Sequence, residues 1–511
     1  MTLLNKYKKE LLVLFGLVIV YFITRIVLLG NLPIFTDEAI YVRWTQIAAQ
    51  DASWRFISLT DGKQPMLVWI GMILVKLIED PLIAVRLVSV VAGFFSLLGL
   101  IFVSYELFKN KTISFLTGVL YIFYPFAVVY DRMALYDSLV AAFAIWAFYV
   151  SIILVRKIRL DVAYTLGFVI GGGMLTKSNA EFSIFSLPFM LLLFNFKQSK
   201  WKNKLIMYIG FAIFSAVIAE GMYNLLRLSP YFHIISEKNT IFVYPFSEWI
   251  KHPFTFFLGN LRGLTTWLVT YLNLYVVVIL ISFIDKKFIK EKVLLFLYFL
   301  APFIADALFG KVIFPRHIFF TSLYLLPLAG YGLNLIINYA SAFLKKRNLN
   351  VYPAVLILIT LFFILYSANV SFNFIFNPQN AAIASSDKNQ YITQWPSGGG
   401  VKESIEYFNK VSVNQKIFVG TQGTFGLMPA SLEIYLNKNP NIQTKGFWPI
   451  GDQIPSEAVT ISKEMPTYFV FYQPCPSCAF IGEAPKTWPL KLIQRIKKSE
   501  GVYYSIYQVV Q

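Results

Sequence analysis

Charge is scarce in this chain. Only 14% of its 511 residues are Asp, Glu, Lys or Arg, where a soluble domain carries roughly 25%. That shortage, with 57% hydrophobic residues and a mean hydropathy of +0.61, excludes a single soluble core. Histidine is nearly missing as well. His233, His252 and His317 are scattered, so no histidine cluster offers a metal site, and each suits an ordinary interfacial or hydrogen-bonding role. Cysteine is limited to Cys475 and Cys478, in QPCPSCAF, which is too little for a disulfide framework. The pair admits a structural disulfide, free thiols, no role, or redox or metal chemistry. Segment QWPSGGGV (394–401) is glycine-rich but lacks the phosphate-cradling glycine patterns and reads as a turn.

Acidic residues are the rarer sign, giving a net charge of +18. The excess is not spread as a nucleic-acid surface would be. It sits in short runs between long apolar segments, as in cytoplasmic loops. Apolar runs near 11–30, 81–104, 113–130, 138–155, 161–176, 181–196, 205–225, 264–284, 293–310, 317–343 and 352–370 predict about eleven transmembrane helices. The basic segments 5–10, 109–111, 156–159, 197–204, 285–292 and 345–347 then all fall on one side. The positive-inside rule makes that side cytoplasmic, with the N-terminus there, in a plasma or inner membrane. The basic flank before the first run, without a small-residue cleavage motif, reads as a retained anchor.

The opposite side receives loop 31–80, loop 226–263 and the chain from 371 to 511. This tail loses the long apolar runs. VKESIEYFNKV, LMPASLEIYL and TWPLKLIQRIKK read as helices, and KIFVGT, PTYFVFYQ and YYSIYQVV as strands. The chain is therefore an α-helical polytopic membrane protein (1–370) with a C-terminal extracytoplasmic α/β domain (371–511).

The ionisable residues on that outer side are candidates for function, because charge near a bilayer is costly unless it faces a polar cavity. Asp37 and Glu38 in FTDEAIY follow the first helix. A carboxylate there suits a general base, and equally suits capping the next helix. Lys63 in DGKQPM either binds an anion or snorkels at the interface. Asp131, Arg132 and Asp137 share VYDRMALYD. The arginine fork fits a phosphate, or pairs with a nearby aspartate. Asp137 is placed to cap a helix, which makes it and Asp131 structural. Lys177 ends GGGMLTK, with Glu181 as an alternative partner, and Arg316 opens the tenth helix. Together, cations at a bundle mouth beside a carboxylate serve displacement at a carbon that bears a phosphate leaving group.

At these residues the sequence resembles the GT-C superfamily of membrane glycosyltransferases, in the branch of protein O-mannosyltransferases and the lipid A aminoarabinose transferase. The resemblance rests on the acidic pair Asp37–Glu38 after helix 1 and on Lys63-Gln64-Pro65-Met66-Leu67, similar to a Lys-Pro-Pro-Leu motif. It rests further on Arg132 through Asp137, Leu175-Thr176-Lys177, and Arg316 leading a leucine- and proline-rich helix. Gln64 replaces the motif's first proline, loop 226–263 lacks the family's aromatic-rich histidine segment, and the tail matches no accessory domain of the family. The resemblance implies an inverting transferase with a polyprenyl-phosphate sugar donor and a protein, lipid or glycan acceptor bearing a hydroxyl or amine. Asp37 would be the base and Glu38 its neighbour in catalysis. Lys63, Arg132, Lys177, Lys238 and Arg316 would contact the donor phosphate. No cofactor is required, although an acidic pair is able to hold a divalent metal ion. The competing reading is a transporter or flippase of lipid-linked sugars, but no internal repeat is evident and the charges gather at one face.

Overall fold

The computed structural model describes residues 8–346 and 352–510. The basic segments 5–10 and 345–347 therefore lie partly outside the described residues. Helices dominate the first three-quarters of the chain. Among the described residues, five are long and apolar enough to cross a membrane: Pro81–Phe108, Tyr136–Lys157, Trp201–Leu228, Ile289–Phe309 and Tyr352–Phe376. Two bent pairs of apolar helices, Phe257–Leu272 with Tyr275–Ser282 at 99° and Pro315–Ser322 with Leu325–Lys345 at 54°, are each a broken span or a re-entrant loop. The helix Lys8–Ile26 and the shorter apolar elements Lys111–Phe123, Leu160–Met174 and Ser178–Leu193 occupy the remaining expected positions. The protein is an integral membrane protein.

Local chemistry explains several boundaries. Asp80 caps Pro81–Phe108 by accepting from the Leu82 and Ile83 amides, with Pro81 at the first helical position. The expected helix over 113–130 breaks at Tyr124, whose ψ of 113° is the extended conformation imposed by the following Pro125. Helix Lys111–Phe123 ends there and Pro125–Tyr130 starts anew.

Loop 31–80 is structured. It holds the helix Thr36–Gln50, the 3-10 turn Ile57–Asp61 and the helix Met66–Leu74. Thr36–Gln50 runs beneath the tail domain and is tied to the helix Ala430–Leu436. Arg43 pairs with Glu433 at 2.8 Å, and the Gln46 amide donates to the Ile434 carbonyl at 3.0 Å.

The tail holds a five-stranded sheet of β1 (Ile417–Gln422), β2 (Ile442–Phe447), β3 (Thr467–Phe471), β4 (Leu490–Ser499) and β5 (Val502–Val509), in the order β2-β1-β3-β5-β4. β1 runs parallel to β2 and β3. β5 is antiparallel to β3 and to β4. β4 corrects the helix expected over TWPLKLIQRIKK. A register shift between Leu492 and Gln494 puts Leu490, Ile493 and Ile496 at three-residue spacing, which imitates the helical period. β2 (IQTKGF) and the helix Ser456–Ser462 gave no apolar pattern to read. Cys475 and Cys478 form a disulfide.

Candidate active site

A cavity of about 390 Å³ lies between loop 31–80, the starts of Tyr136–Lys157 and Pro315–Ile318, the segment after Leu160–Met174, and the helix Ile234–Phe242. Four cations (Lys63, Lys177, Lys238, Arg316), three aspartates (Asp37, Asp137, Asp306) and His317 line it, among apolar walls that include Phe182, Phe242 and Phe320.

Asp37 stands in the first turn of Thr36–Gln50, where the free N–H groups of a helix favour negative charge. Its Oδ2 accepts from Arg316 Nη1 at 2.7 Å. Burial alone would raise the Asp37 carboxyl, but Arg316, Lys63 and Lys177 outweigh it and hold it below the ordinary carboxylate range. Arg316 lies 5.0 Å from the Phe314 ring centroid and 5.9 Å from that of Phe35, so its fork is steadied on aromatic faces.

Lys63 follows Gly62, whose φ of +66° closes the 3-10 turn Ile57–Asp61. A Cβ at position 62 would sit 2.6 Å from the Lys238 Cβ, so glycine also permits the helix Ile234–Phe242 to press against this turn. The Lys63 ammonium lies 5.3 Å from the Phe242 ring centroid and makes no ion pair with any described residue. Burial pulls it down to about 8; Asp37 opposes this, while Arg316 and Lys177 add to it. It is a cation in search of an anion.

The other two lysines are partnered. Lys177 pairs with Asp137 at 2.7 Å and Lys238 with Asp61 at 2.5 Å. Lys177 therefore pairs with Asp137 and not Glu181, and Asp137 faces the cavity without capping its helix. Gly172 lets the helix before Lys177 approach its neighbour, since a Cβ there would meet the Phe143 ring at 2.5 Å.

Three expected site residues lie away from the cavity. Glu38 is fully buried. It binds Arg86 through both oxygens at 2.8 Å and accepts from the Phe35 and Ala134 amides at 3.0 and 2.7 Å. Arg132 was expected at the donor phosphate, yet it is buried and donates to the carbonyls of Thr24, Arg25 and Leu28, closing the C-terminal end of the first helix. Asp131 accepts from Arg25, Ser138 and Tyr121 at 3.2, 2.7 and 3.0 Å. Conversely, the sequence reading missed Asp306, whose Oδ1 lies 3.6 Å from His317 Nδ1 on the cavity wall. An aspartate inside the apolar run 293–310 was the signal available for it. Among the described residues no group of three His, Cys, Asp or Glu side chains is placed to hold a metal ion.

The helical bundle with its C-terminal sheet domain has the GT-C fold. Residues 62–223 match the family described as dolichyl-phosphate-mannose-protein mannosyltransferase. No curated protein matches the sequence. Among solved structures, ArnT from Cupriavidus metallidurans in the apo state is similar over 99% of this chain and 98% of its own, at 13% identity and a TM-score of 0.51. The same protein bound to undecaprenyl phosphate is similar over the same shares, at 12% identity and a TM-score of 0.52.

Proposed function

We propose that this protein is an inverting glycosyltransferase that moves a sugar from a polyprenyl phosphate to a hydroxyl or amine of a protein, lipid or glycan, on the extracytoplasmic face of the membrane. One observation carries the reading: a single cavity sets the Asp37 carboxylate among Lys63, Lys177, Lys238 and Arg316. The undecaprenyl phosphate bound by ArnT, whose fold is similar, supports the donor class.

In this reading the prenyl tail lies in the bilayer, and its phosphate enters the cavity beside Lys63, the cavity cation without an ionic partner among the described residues. The acceptor oxygen or nitrogen attacks the anomeric carbon from the face opposite the phosphate. Its bond to that carbon forms as the carbon–oxygen bond to phosphate breaks, with the electron pair passing to the phosphate. The cations stabilise the charge growing there. Asp37 takes the proton released by the acceptor. The phosphate competes with Asp37 for Arg316. As the guanidinium turns toward the phosphate, the carboxylate loses its partner and becomes a stronger base. Glu38, Arg132 and Asp131 hold the loops that carry these groups.

The test is reconstitution of the purified protein in liposomes with undecaprenyl phosphomannose or undecaprenyl phosphoaminoarabinose and a membrane extract that supplies protein, lipid and glycan acceptors, following release of undecaprenyl phosphate. Release that depends on Asp37 supports the reading. Tight binding of undecaprenyl phosphate with no turnover of either donor, and movement of the lipid between leaflets instead, would replace it with the flippase alternative. Sidedness is checked with cysteines placed at Lys202, Lys286 and Ser385 in a chain lacking Cys475 and Cys478. An impermeant thiol reagent should label only position 385 in intact cells.

A further inference from the structure

The tail domain reaches into the segment that carries Asp37. Residues 395–398 cross the strand-like stretch 34–36 as an antiparallel partner, with Phe35 opposite Ser397. The Thr36 amide and hydroxyl both donate to the Pro396 carbonyl, at 3.1 and 2.9 Å, and the Gly398 amide donates to the Ile34 carbonyl at 2.7 Å. Gly398 is required at this crossing, because a Cβ there would lie 2.5 Å from the Ile34 carbonyl oxygen. Tyr391 adds an edge-on ring contact to Phe35 at 4.9 Å.

The strap is itself fixed from the sheet. Lys498 of β4 is buried, and its ammonium donates to the Ser397 carbonyl and, at 3.4 Å, to that of Trp395. Next to it, Ser499 donates to the Thr393 carbonyl at 3.0 Å. A buried lysine spent on two backbone carbonyls is an expensive way to hold a turn. Its use here marks a place where position matters.

We infer that the segment Trp395–Gly398, locked by Lys498, is a positioning clamp of the tail domain that fixes residues 34–36 and thereby sets Asp37 opposite Arg316. The inference rests on the reading of Asp37 as the base. It gives the tail domain a part in transfer without any contact to substrate: two hydrogen bonds from Thr36 and one to the Ile34 carbonyl hold the stretch before Asp37, while the Glu38 carboxylate accepts from the Phe35 amide.

The test uses the full-length protein in detergent and the variants Lys498→Met, Lys498→Arg and Gly398→Val. Amide hydrogen exchange over residues 34–37 is expected to quicken about tenfold or more in Lys498→Met and Gly398→Val, and to return toward the native rate in Lys498→Arg, which retains donors for both carbonyls. Turnover per folded molecule is expected to fall about tenfold in the first two, with undecaprenyl phosphate binding unchanged. Unchanged exchange over 34–37 in Lys498→Met overturns the clamp, and so does a lower melting temperature with native turnover per folded molecule. Should Gly398→Val fail to fold, Lys498→Met still decides. If the unsubstituted protein turns over neither sugar donor, the functional reading fails by itself, and the exchange measurement still settles whether the clamp exists.

Discussion

Arg316 Nη1 donates to Asp37 Oδ2 across 2.7 Å, joining residues 279 positions apart in the sequence. The pair keeps Asp37 ionised and ties the loop 31–80 to the turn that begins at Pro315. It also fixes a sign for pH dependence. Lys63, Lys177, Tyr41 and Tyr136 also interact electrostatically with Asp37. With the Arg316 charge removed, burial dominates and the carboxyl rises. Arg316→Gln should therefore move the acid limb of the kcat/KM profile to higher pH. An acid limb at its native position would separate Asp37 from that titration.

Asp37→Asn keeps the shape of the side chain and cannot take a proton at neutral pH. The variant should fold, bind undecaprenyl phosphate and lose transfer by about 10²–10⁴-fold, the usual share of a general base. Near-native turnover by a well-folded Asp37→Asn protein would remove Asp37 from the mechanism.

Lys63 and Arg132 should part company. Lys63→Ala removes the cavity cation that has no ionic partner among the described residues, and undecaprenyl phosphate binding should weaken about ten- to a hundredfold, the worth of one hydrogen bond to a charged group. Arg132→Ala strands the carbonyls of Thr24, Arg25 and Leu28. It should lower the melting temperature and the yield, with native affinity in the folded fraction. Binding and melting measured on one preparation of each variant check the contrast.

Glu38→Gln should act on stability. It leaves the buried Arg86 guanidinium without its counter-charge, a loss of about 3–5 kcal/mol for a broken buried pair. The melting temperature should fall, and turnover per folded molecule should fall far less than in Asp37→Asn. Equal loss of turnover in the two variants would return Glu38 to the chemistry.

Asp387 gives a second pH signature, in the tail. Burial raises its carboxyl to about 7, although Tyr271 and Tyr130 donate to it and lower it. Between about 4 and 7 the folded state holds a proton that the unfolded chain releases, so this group's contribution to stability falls as pH rises through that window. Melting curves from pH 4 to 8 should show that slope, and Asp387→Asn should flatten it.

Apolar periodicity and the placement of basic loops were enough to read a membrane-spanning chain, because bilayer thickness acts on each segment separately. The expected apolar segments fall on helical elements, though 113–130, 181–196, 264–284 and 317–343 are broken or bent, and the switch to a mixed α/β tail was legible from strand-like runs such as KIFVGT. Asp37, Lys63, Lys177, Lys238 and Arg316 were legible as charges beside apolar runs, and the fold brings all five to one cavity. Sequence could not decide which charges are already spent. Glu38 and Asp37 are adjacent, yet a helix turns successive side chains about 100° apart, so one faces Arg86 in the interior and the other faces the cavity. Arg132 is likewise claimed by carbonyls more than a hundred residues away, and β4 hides its alternation behind a bulge. The clamp on residues 34–36 comes from positions 395–398 and 498, and no local pattern could join them. Local chemistry wrote the helices and their caps; only the packing of distant segments assigned each buried charge its partner, because a buried charge takes whichever counter-group the tertiary fold sets within reach.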